Sequence, residues 1–171
     1  MEQAMSVLTS IKTEEWFTPP EYIAMVRAAL GGQIDLDPAS CARAQKWINA
    51  KRIFTEKDDG LVQEWKANKL FLNPPYCGKT AVWADKLISE LTIGNTKSAV
   101  LLVNSSPGYK WYEALWKRYV VCCVEERIRF IQENGEVGGQ AKKASTFVYF
   151  GDNPFRFAGA FRSIGRIIFP K

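Results

Sequence analysis

The segment Asn73-Pro74-Pro75-Tyr76 combines residue types that can act together on an amino group. It follows the apolar run 69–72, which predicts a short buried strand, and two consecutive prolines end that strand and restrict the backbone. The Asn73 amide oxygen and the Pro74 carbonyl can accept hydrogen bonds from an amine, and the Tyr76 ring offers a flat face to a planar base. Because open α/β sheets bind ligands beyond the carboxyl ends of strands, the segment predicts a site for chemistry on an exocyclic amine. The alternative is a proline-rich turn whose Asn only satisfies local backbone groups.

Hydrophobic periodicity predicts helices that alternate with short strands around this segment. Residues 18–21 predict a capping box, in which Thr18 caps the first helix, Pro19 takes its first position and the glycines at 31 and 32 end it. Asn153 predicts the start of the last helix. Further predicted helices span residues 42–49, 82–91 and 109–118, and predicted strands span residues 33–36, 52–55, 69–72, 98–103, 119–124, 128–131, 146–150 and 166–169. This order predicts an α/β fold with a mostly parallel sheet, helices on both faces and an antiparallel edge.

Composition limits the classes of protein to which the chain can belong. Its 171 residues, 47% of them hydrophobic, predict one domain at residues 13–171 after a flexible lead at residues 1–12. The sequence has no apolar stretch that could span a membrane, and its start lacks the pattern of a secretory signal. The four cysteines have no metal-ligand spacing and the chain has no histidine, which argues against zinc and excludes Ser-His and Cys-His nucleophiles. We therefore expect reduced thiols in a cytoplasmic protein, with Cys122 and Cys123 on opposite faces of a strand.

The net charge of +5 is concentrated in the last third of the chain. Residues 105–171 hold 11 Lys and Arg residues against six Asp and Glu residues, whereas the residues before them are balanced. A one-sided basic surface favours a polyanion as the partner, although ordinary solvated charge is the alternative.

Four motifs follow one another along the chain at residues 15–19 (Glu-Trp-Phe-Thr-Pro), 34–40 (Ile-Asp-Leu-Asp-Pro-Ala-Ser), 58–61 (Asp-Asp-Gly-Leu) and 73–76. In this order they resemble the amino-group DNA methyltransferases and, more closely, the small phage-type DNA N6-adenine methyltransferases, which use S-adenosylmethionine. The resemblance extends through the late strand at residues 145–151 and covers nearly the whole chain from Trp16. It implies a Rossmann-like S-adenosylmethionine-dependent methyltransferase fold, DNA as the partner, and a cytoplasmic enzyme of phage or prophage origin.

The resemblance also implies roles for individual residues. The catalytic segment would be Asn73, Pro74, Pro75 and Tyr76. The residues that would bind S-adenosylmethionine are Trp16, Thr18, Pro19, Asp35, Asp37, Pro38, Ala39, Asp59 and Asn73. The candidates for facing DNA are the glycine-rich loop at residues 132–145 with Lys142 and Lys143, and also Arg127, Arg129, Arg162 and Arg166. One departure is the turn Ser40-Cys41-Ala42, where larger relatives have a turn that contains glycine.

The chemistry implied by the resemblance suits these residues. Adenine N6 is a poor nucleophile because its lone pair is delocalised into the ring. Hydrogen bonds to Asn73 and Pro74 would favour a tetrahedral nitrogen and stabilise the positive charge that develops during methyl transfer. The proton can leave after the transfer, so the absence of histidine is no obstacle. Because base pairing blocks N6 in a duplex, the adenine must be flipped out, and Tyr76 is the expected stacking partner.

Alternatives remain for the residues and for the function. Asp37 could be only a helix cap, Asp59 a turn residue, Trp16 a hydrophobic staple, and Lys142 and Lys143 solvated loop charges. A protein glutamine N5-methyltransferase would use the same Asn-Pro-Pro-Tyr logic, since a glutamine amide also presents a planar amine. A DNA-binding module with a degenerate cofactor site is the second alternative, supported only by the unusual turn after Ala39.

Overall fold

The computed structural model describes residues 16–76 and 78–170, so the predicted lead at residues 1–12 lies outside the described residues. Its helices are α1 (Pro20–Leu30), α2 (Gln45–Ile48), α3 (Thr80–Thr92), α4 (Lys110–Arg118) and α5 (Pro154–Phe161). Its strands are β1 (Leu36–Asp37), β2 (Arg52–Ile53), β3 (Ala67–Leu72), β4 (Thr96–Asn104), β5 (Val120–Val124), β6 (Ser145–Phe150) and β7 (Gly165–Ile168). The order of helices and strands agrees with the hydrophobic periodicity, except that residues 128–131 form no strand.

The seven strands form one mixed sheet in the order β2-β1-β3-β4-β6-β5-β7. Strands β1 to β4 pair in parallel, whereas β6 runs antiparallel to β4 and β5, and β7 runs antiparallel to β5. The α/β class is therefore confirmed, but only β7 is an antiparallel edge strand, because β6 is inserted inside the sheet. The carboxyl ends of β1 to β5 and the amino ends of β6 and β7 consequently share one edge, called the upper edge below.

Helices cover both faces of this sheet. On one face, α1, α2 and α5 pack on a core that contains Phe71, Phe147 and Phe157. On the other face, α3 and α4 pack on a core that contains Trp65 and Trp83, whose rings stack with centroids 5.8 Å apart. Neighbouring strand residues alternate between the two cores, as the predicted opposite orientation of Cys122 and Cys123 requires.

Two local predictions are wrong, and both errors concern segments near Asn73. The first helix begins at Pro20 with Pro19 at its N-cap and no side-chain cap, because the Thr18 hydroxyl is used elsewhere. Residues 128–131 do not form a ladder; instead Ile131 exchanges two backbone hydrogen bonds with Phe17, at 2.8 and 2.9 Å. Two predicted helix termini are confirmed. Gly31, with a φ of 71°, ends α1, and Asn153, which accepts a hydrogen bond from the Arg156 N–H, starts α5.

Candidate active site

Asn73 is the first residue after β3, and its side-chain amide is held in one orientation. Its Nδ2 atom donates to the carbonyl oxygen of Trp16 and to the hydroxyl of Thr18, in both cases at 3.2 Å. A backbone carbonyl can only accept a hydrogen bond, so the amide nitrogen must face Trp16 and the amide oxygen must point the other way. That oxygen accepts a hydrogen bond from the Tyr76 hydroxyl at 3.0 Å. The fold thus presents the Asn73 oxygen as an acceptor at the upper edge.

Tyr76 covers this acceptor. Its ring is half-buried and meets Phe130 edge-on, with ring centroids 6.3 Å apart. Burial raises the pKa of the Tyr76 hydroxyl well above its ordinary value, so the group stays protonated near neutral pH. Within the described residues, no N–H group donates to the carbonyl oxygen of Pro74. The Asn73 side chain therefore provides one acceptor oxygen, which the Tyr76 hydroxyl occupies. The Pro74 carbonyl as a second acceptor stays a prediction.

Asp37 is the last residue of β1, the strand beside β3, and only 2% of it is exposed. Burial raises the pKa of its carboxyl to about 6, although hydrogen bonds from Ser40 and Ala39 oppose the rise. Its Oδ1 atom accepts from the Ala39 N–H at 3.3 Å, which shapes the loop after the strand. Asp37 does not cap α2, which has Ala44 at its N-cap. A buried carboxylate is costly unless a cation neutralises it, so this position favours a positively charged ligand group.

The acidic turn before Gly60 lies against the loop after β1. A Cβ atom on Gly60 would lie 2.1 Å from the carbonyl oxygen of Pro38, so this approach requires glycine. Asp59 beside it is exposed, has a φ of 49°, and accepts from the Leu61 N–H through Oδ1. Asp59 is therefore a turn residue, and the turn brings the backbone at Gly60 against the Pro38 carbonyl. A cofactor contact through Asp59 stays a prediction.

Asp35 lies just before β1, and its carboxylate makes contacts that connect neighbouring segments of the fold. Its Oδ1 atom pairs with Lys51 Nζ at 2.8 Å, and its Oδ2 atom accepts from the Lys69 N–H at 3.0 Å. Lys69 is in the first half of β3, so this carboxylate is set back from the upper edge. A cofactor contact through Asp35 stays a prediction, and both of its oxygens already have partners.

The segment 16–18 reaches Asn73 although it is distant in sequence. Thr18 is buried, and its carbonyl oxygen accepts from Trp47 Nε1 at 2.8 Å. Trp16 is half-buried against the α1 face of the core, and a Cβ atom on Gly138 would lie 2.8 Å from its ring. Pro19 is the N-cap of α1, and its carbonyl accepts from the Tyr22 and Ile23 N–H groups. These contacts place Trp16, Thr18 and Pro19 at the corner between α2, Asn73 and the loop that follows β5.

A cleft of about 150 Å³ opens at the upper edge beside Tyr76. It is lined by Tyr76, Gly78, Thr80, Asn104, Ser106, Trp111 and Lys143. Sequence reasoning missed Asn104, Ser106 and Trp111. Asn104 is the last residue of β4 and Ser106 lies two residues after it. The rule that ligands bind at the carboxyl ends of strands, which selects Asn73, would have selected both as well.

The basic residues predicted to face DNA are all exposed; one lines the cleft with Tyr76, and a second is next in sequence to a residue that contacts Tyr76. Lys143 lines the cleft together with Tyr76. Arg129 is adjacent in sequence to Phe130, whose ring contacts that of Tyr76. Both belong to the chain between β5 and β6, which the inserted position of β6 brings next to β4.

Of the other four basic residues, Lys142 directly precedes Lys143 in the loop 132–145, and three have other environments. Arg127 donates to the carbonyl oxygens of Ala141 and Lys142, so its guanidinium holds the loop 132–145 in place. Arg162 follows α5 and Arg166 lies in the edge strand β7. Strand β7 is four strands away from β3, which corresponds to roughly 20 Å along the sheet.

None of the helices that the structure describes is both long and apolar enough to cross a membrane. A comparison with curated proteins finds no match. A family model described as DNA N-6-adenine-methyltransferase (Dam) matches residues 6–160, which include Asn73, Tyr76, Asp37 and the cleft. Since that match covers most of the sequence, the chain belongs to the Dam family of DNA N-6-adenine-methyltransferases.

Proposed function

We propose that this DNA adenine methyltransferase uses S-adenosylmethionine and acts on an adenine that has left the duplex and lies against Asn73, Pro74 and Tyr76. The observation that carries the proposal is the orientation of the Asn73 amide, whose oxygen is turned toward Tyr76 by the carbonyl of Trp16. An acceptor held in this way is what an adenine amino group requires, because both of its N–H groups are donors.

Two acceptor oxygens suit the two hydrogens of the amino group. One hydrogen would bond to the Asn73 amide oxygen and the other to the Pro74 carbonyl. Together these bonds favour a tetrahedral nitrogen whose lone pair is available, and they stabilise the positive charge that develops on it. Neither oxygen needs to remove a proton before transfer, so the chain requires no strong base at this position.

The Tyr76 hydroxyl would give way to the amino group of the adenine. In the structure it donates to the Asn73 oxygen at 3.0 Å, a distance suited equally to an incoming N–H donor. Once displaced, the ring offers its face to the flipped base, for which stacking is worth roughly 1–3 kcal/mol. Its raised pKa keeps the hydroxyl neutral, so Tyr76 acts by stacking and hydrogen bonding and not as a base.

The residues after β1 fit the cofactor. When bound, S-adenosylmethionine supplies an electrophilic methyl group on a sulfonium and carries further charged groups. The buried Asp37 carboxylate favours a cation, and Pro38, Ala39 and the exposed Asp59 border the same loop. Trp16 and Pro19 remain predicted contacts by resemblance. Asp35 is left out of the proposed site, since both of its oxygens are engaged by lysine residues.

The DNA would approach the upper edge with its phosphates near Lys143 and Arg129. Lys143 is the better candidate of the two adjacent lysines, because it lines the cleft with Tyr76. Arg166, roughly 20 Å from β3 along the sheet, and Arg162 after α5 would meet phosphates further along the duplex. The role of Lys142 remains a prediction, and Arg127 acts through the loop that it holds. We propose that the enzyme acts in the cytoplasm of a bacterial cell and that, as its resemblance implies, a phage or prophage encodes it.

The test is the substitution Asn73→Ala, assayed by transfer of labelled methyl groups to unmethylated DNA. We expect a fall in rate on the order of 100-fold or more, by analogy with the removal of one preorganised hydrogen-bonding group from an active site. Asn68→Ala is the matched control, because Asn68 is an exposed residue of the same strand β3. A normal rate for Asn73→Ala, with the modification still on adenine N6, would contradict the proposal. Methylation of glutamine in a peptide instead of DNA would favour the alternative enzyme.

A further inference from the structure

We propose that Thr18 is a positioning residue, whose hydroxyl orients the Asn73 amide for the reaction. This inference rests on the proposed role of Asn73 and goes beyond it, since the resemblance assigns Thr18 to the cofactor. Thr18 is 1% exposed, and its Oγ1 atom accepts one hydrogen bond from Asn73 Nδ2 at 3.2 Å. A buried hydroxyl in this contact is directed at the catalytic side chain and away from solvent.

The geometry uses both hydrogens of the Asn73 amide. One is donated to Thr18 Oγ1 and the other to the Trp16 carbonyl, each at 3.2 Å. A rotation of the amide by half a turn would place its oxygen against the Trp16 carbonyl, which has no hydrogen to donate. The two acceptors therefore fix the direction of the Asn73 oxygen. With only one of them, the amide could tilt away from the position that the adenine amino group requires.

The segment that carries Thr18 is itself held on two sides. The Thr18 carbonyl accepts from Trp47 Nε1 at 2.8 Å, which connects it to α2. The preceding residue, Phe17, exchanges backbone hydrogen bonds of 2.8 and 2.9 Å with Ile131, in the chain that follows Phe130. Because the segment is fixed at both ends, Thr18 can transmit a fixed orientation to Asn73.

The experiment removes the hydroxyl while keeping the shape of the side chain. Thr18→Val should lower the methyl-transfer rate at saturating substrates by about 2- to 13-fold, the range expected for one hydrogen bond. The dissociation constant for S-adenosylmethionine, measured by calorimetry, should stay within about 2-fold, because the lost contact is to Asn73. Thr18→Ser keeps the hydroxyl and should restore most of the rate.

Thr96→Val is the matched control for the loss of a buried threonine hydroxyl. Thr96 is 2% exposed and donates to the Trp65 carbonyl at 2.7 Å, at the start of β4 and away from the upper edge. Thr96→Val should lower the melting temperature, and it should not lower the methyl-transfer rate as Thr18→Val does. If Thr18→Val does not fold, Thr18→Ala removes the same hydroxyl and carries the same expectation.

A double-mutant cycle separates this inference from the proposed function. In an Asn73→Ala background, Thr18→Val should have no further effect on the residual rate, because its partner is gone. An equal rate loss with and without Asn73, or a parallel loss of cofactor affinity, would overturn the positioning role and return Thr18 to the cofactor. A normal rate for Asn73→Ala alone would instead refute the proposed function, whatever Thr18 does.

Discussion

Replacing Tyr76 by phenylalanine separates the two roles that the geometry gives to this residue. The substitution keeps the ring for stacking and removes the hydroxyl that donates to the Asn73 oxygen at 3.0 Å. If that hydroxyl occupies the acceptor until adenine arrives, the wild-type enzyme must break this hydrogen bond for each base that it captures. Tyr76→Phe binds the base without that cost, so capture of the flipped adenine should improve.

The magnitude follows from the net worth of one hydrogen bond, about 0.5–1.5 kcal/mol, or roughly 2- to 13-fold in an equilibrium constant. We expect the KM for DNA to fall by about that factor, with kcat nearly unchanged. The same bond also supports the free protein, so Tyr76→Phe should lower the free energy of unfolding by a similar amount. Tyr76→Ala has the opposite effect on capture, because it loses roughly 1–3 kcal/mol of stacking, or about 5- to 160-fold.

The assay measures steady-state methylation of one duplex at several DNA concentrations for the wild type and both variants. Binding of a duplex whose target adenine faces a mismatch provides a second measurement, since flipping a mismatched base costs less. The gain from Tyr76→Phe should therefore appear with both duplexes. If Tyr76→Phe loses as much activity as Tyr76→Ala, the hydroxyl takes part in the reaction and the displacement argument is refuted.

Three further predictions concern the proposed cofactor site after β1 and the lysines proposed to face DNA. Burial raises the pKa of Asp37 to about 6. The contribution of this carboxyl to the free energy of unfolding is therefore fully present below pH 3.8, its ordinary pKa, and is lost as the pH rises through about 6. Asp37→Asn should therefore raise the melting temperature of the free protein at pH 8 more than at pH 4.5 and should weaken cofactor binding; an equal change at both pH values would contradict the shift. Gly60→Ala would place a Cβ atom 2.1 Å from the Pro38 carbonyl and should weaken cofactor binding measured by calorimetry, with about 1–3 kcal/mol of destabilisation. Lys143→Ala should reduce the log–log salt slope of DNA binding by roughly 1 and Lys142→Ala by less, in titrations of labelled duplex; equal slopes would remove Lys143 from the interface.

Local features of this molecule were predictable because short-range forces decide them. Two prolines after an apolar run end β3 at Leu72, and Gly31 ends α1 in a left-handed conformation that glycine adopts without strain. The same reasoning failed at Thr18, where a capping box and a proline start compete within a few residues. The outcome depended on Asn73, which lies 55 residues away in sequence and takes the Thr18 hydroxyl.

The sequence by itself determined which residues could accept hydrogen bonds from an amine and that they follow a strand. Only the tertiary structure decided how the Asn73 amide is turned, that Tyr76 covers it, and that Lys143 shares a cleft with Tyr76 while Arg127 binds loop carbonyls. The insertion of β6 between β4 and β5 brings that cleft together, and strand order is not encoded in the local pattern. The physical reason is range: propensities and turns act over a few residues, whereas Asn73 meets the Trp16 carbonyl across 57 residues only when both faces of the sheet are packed.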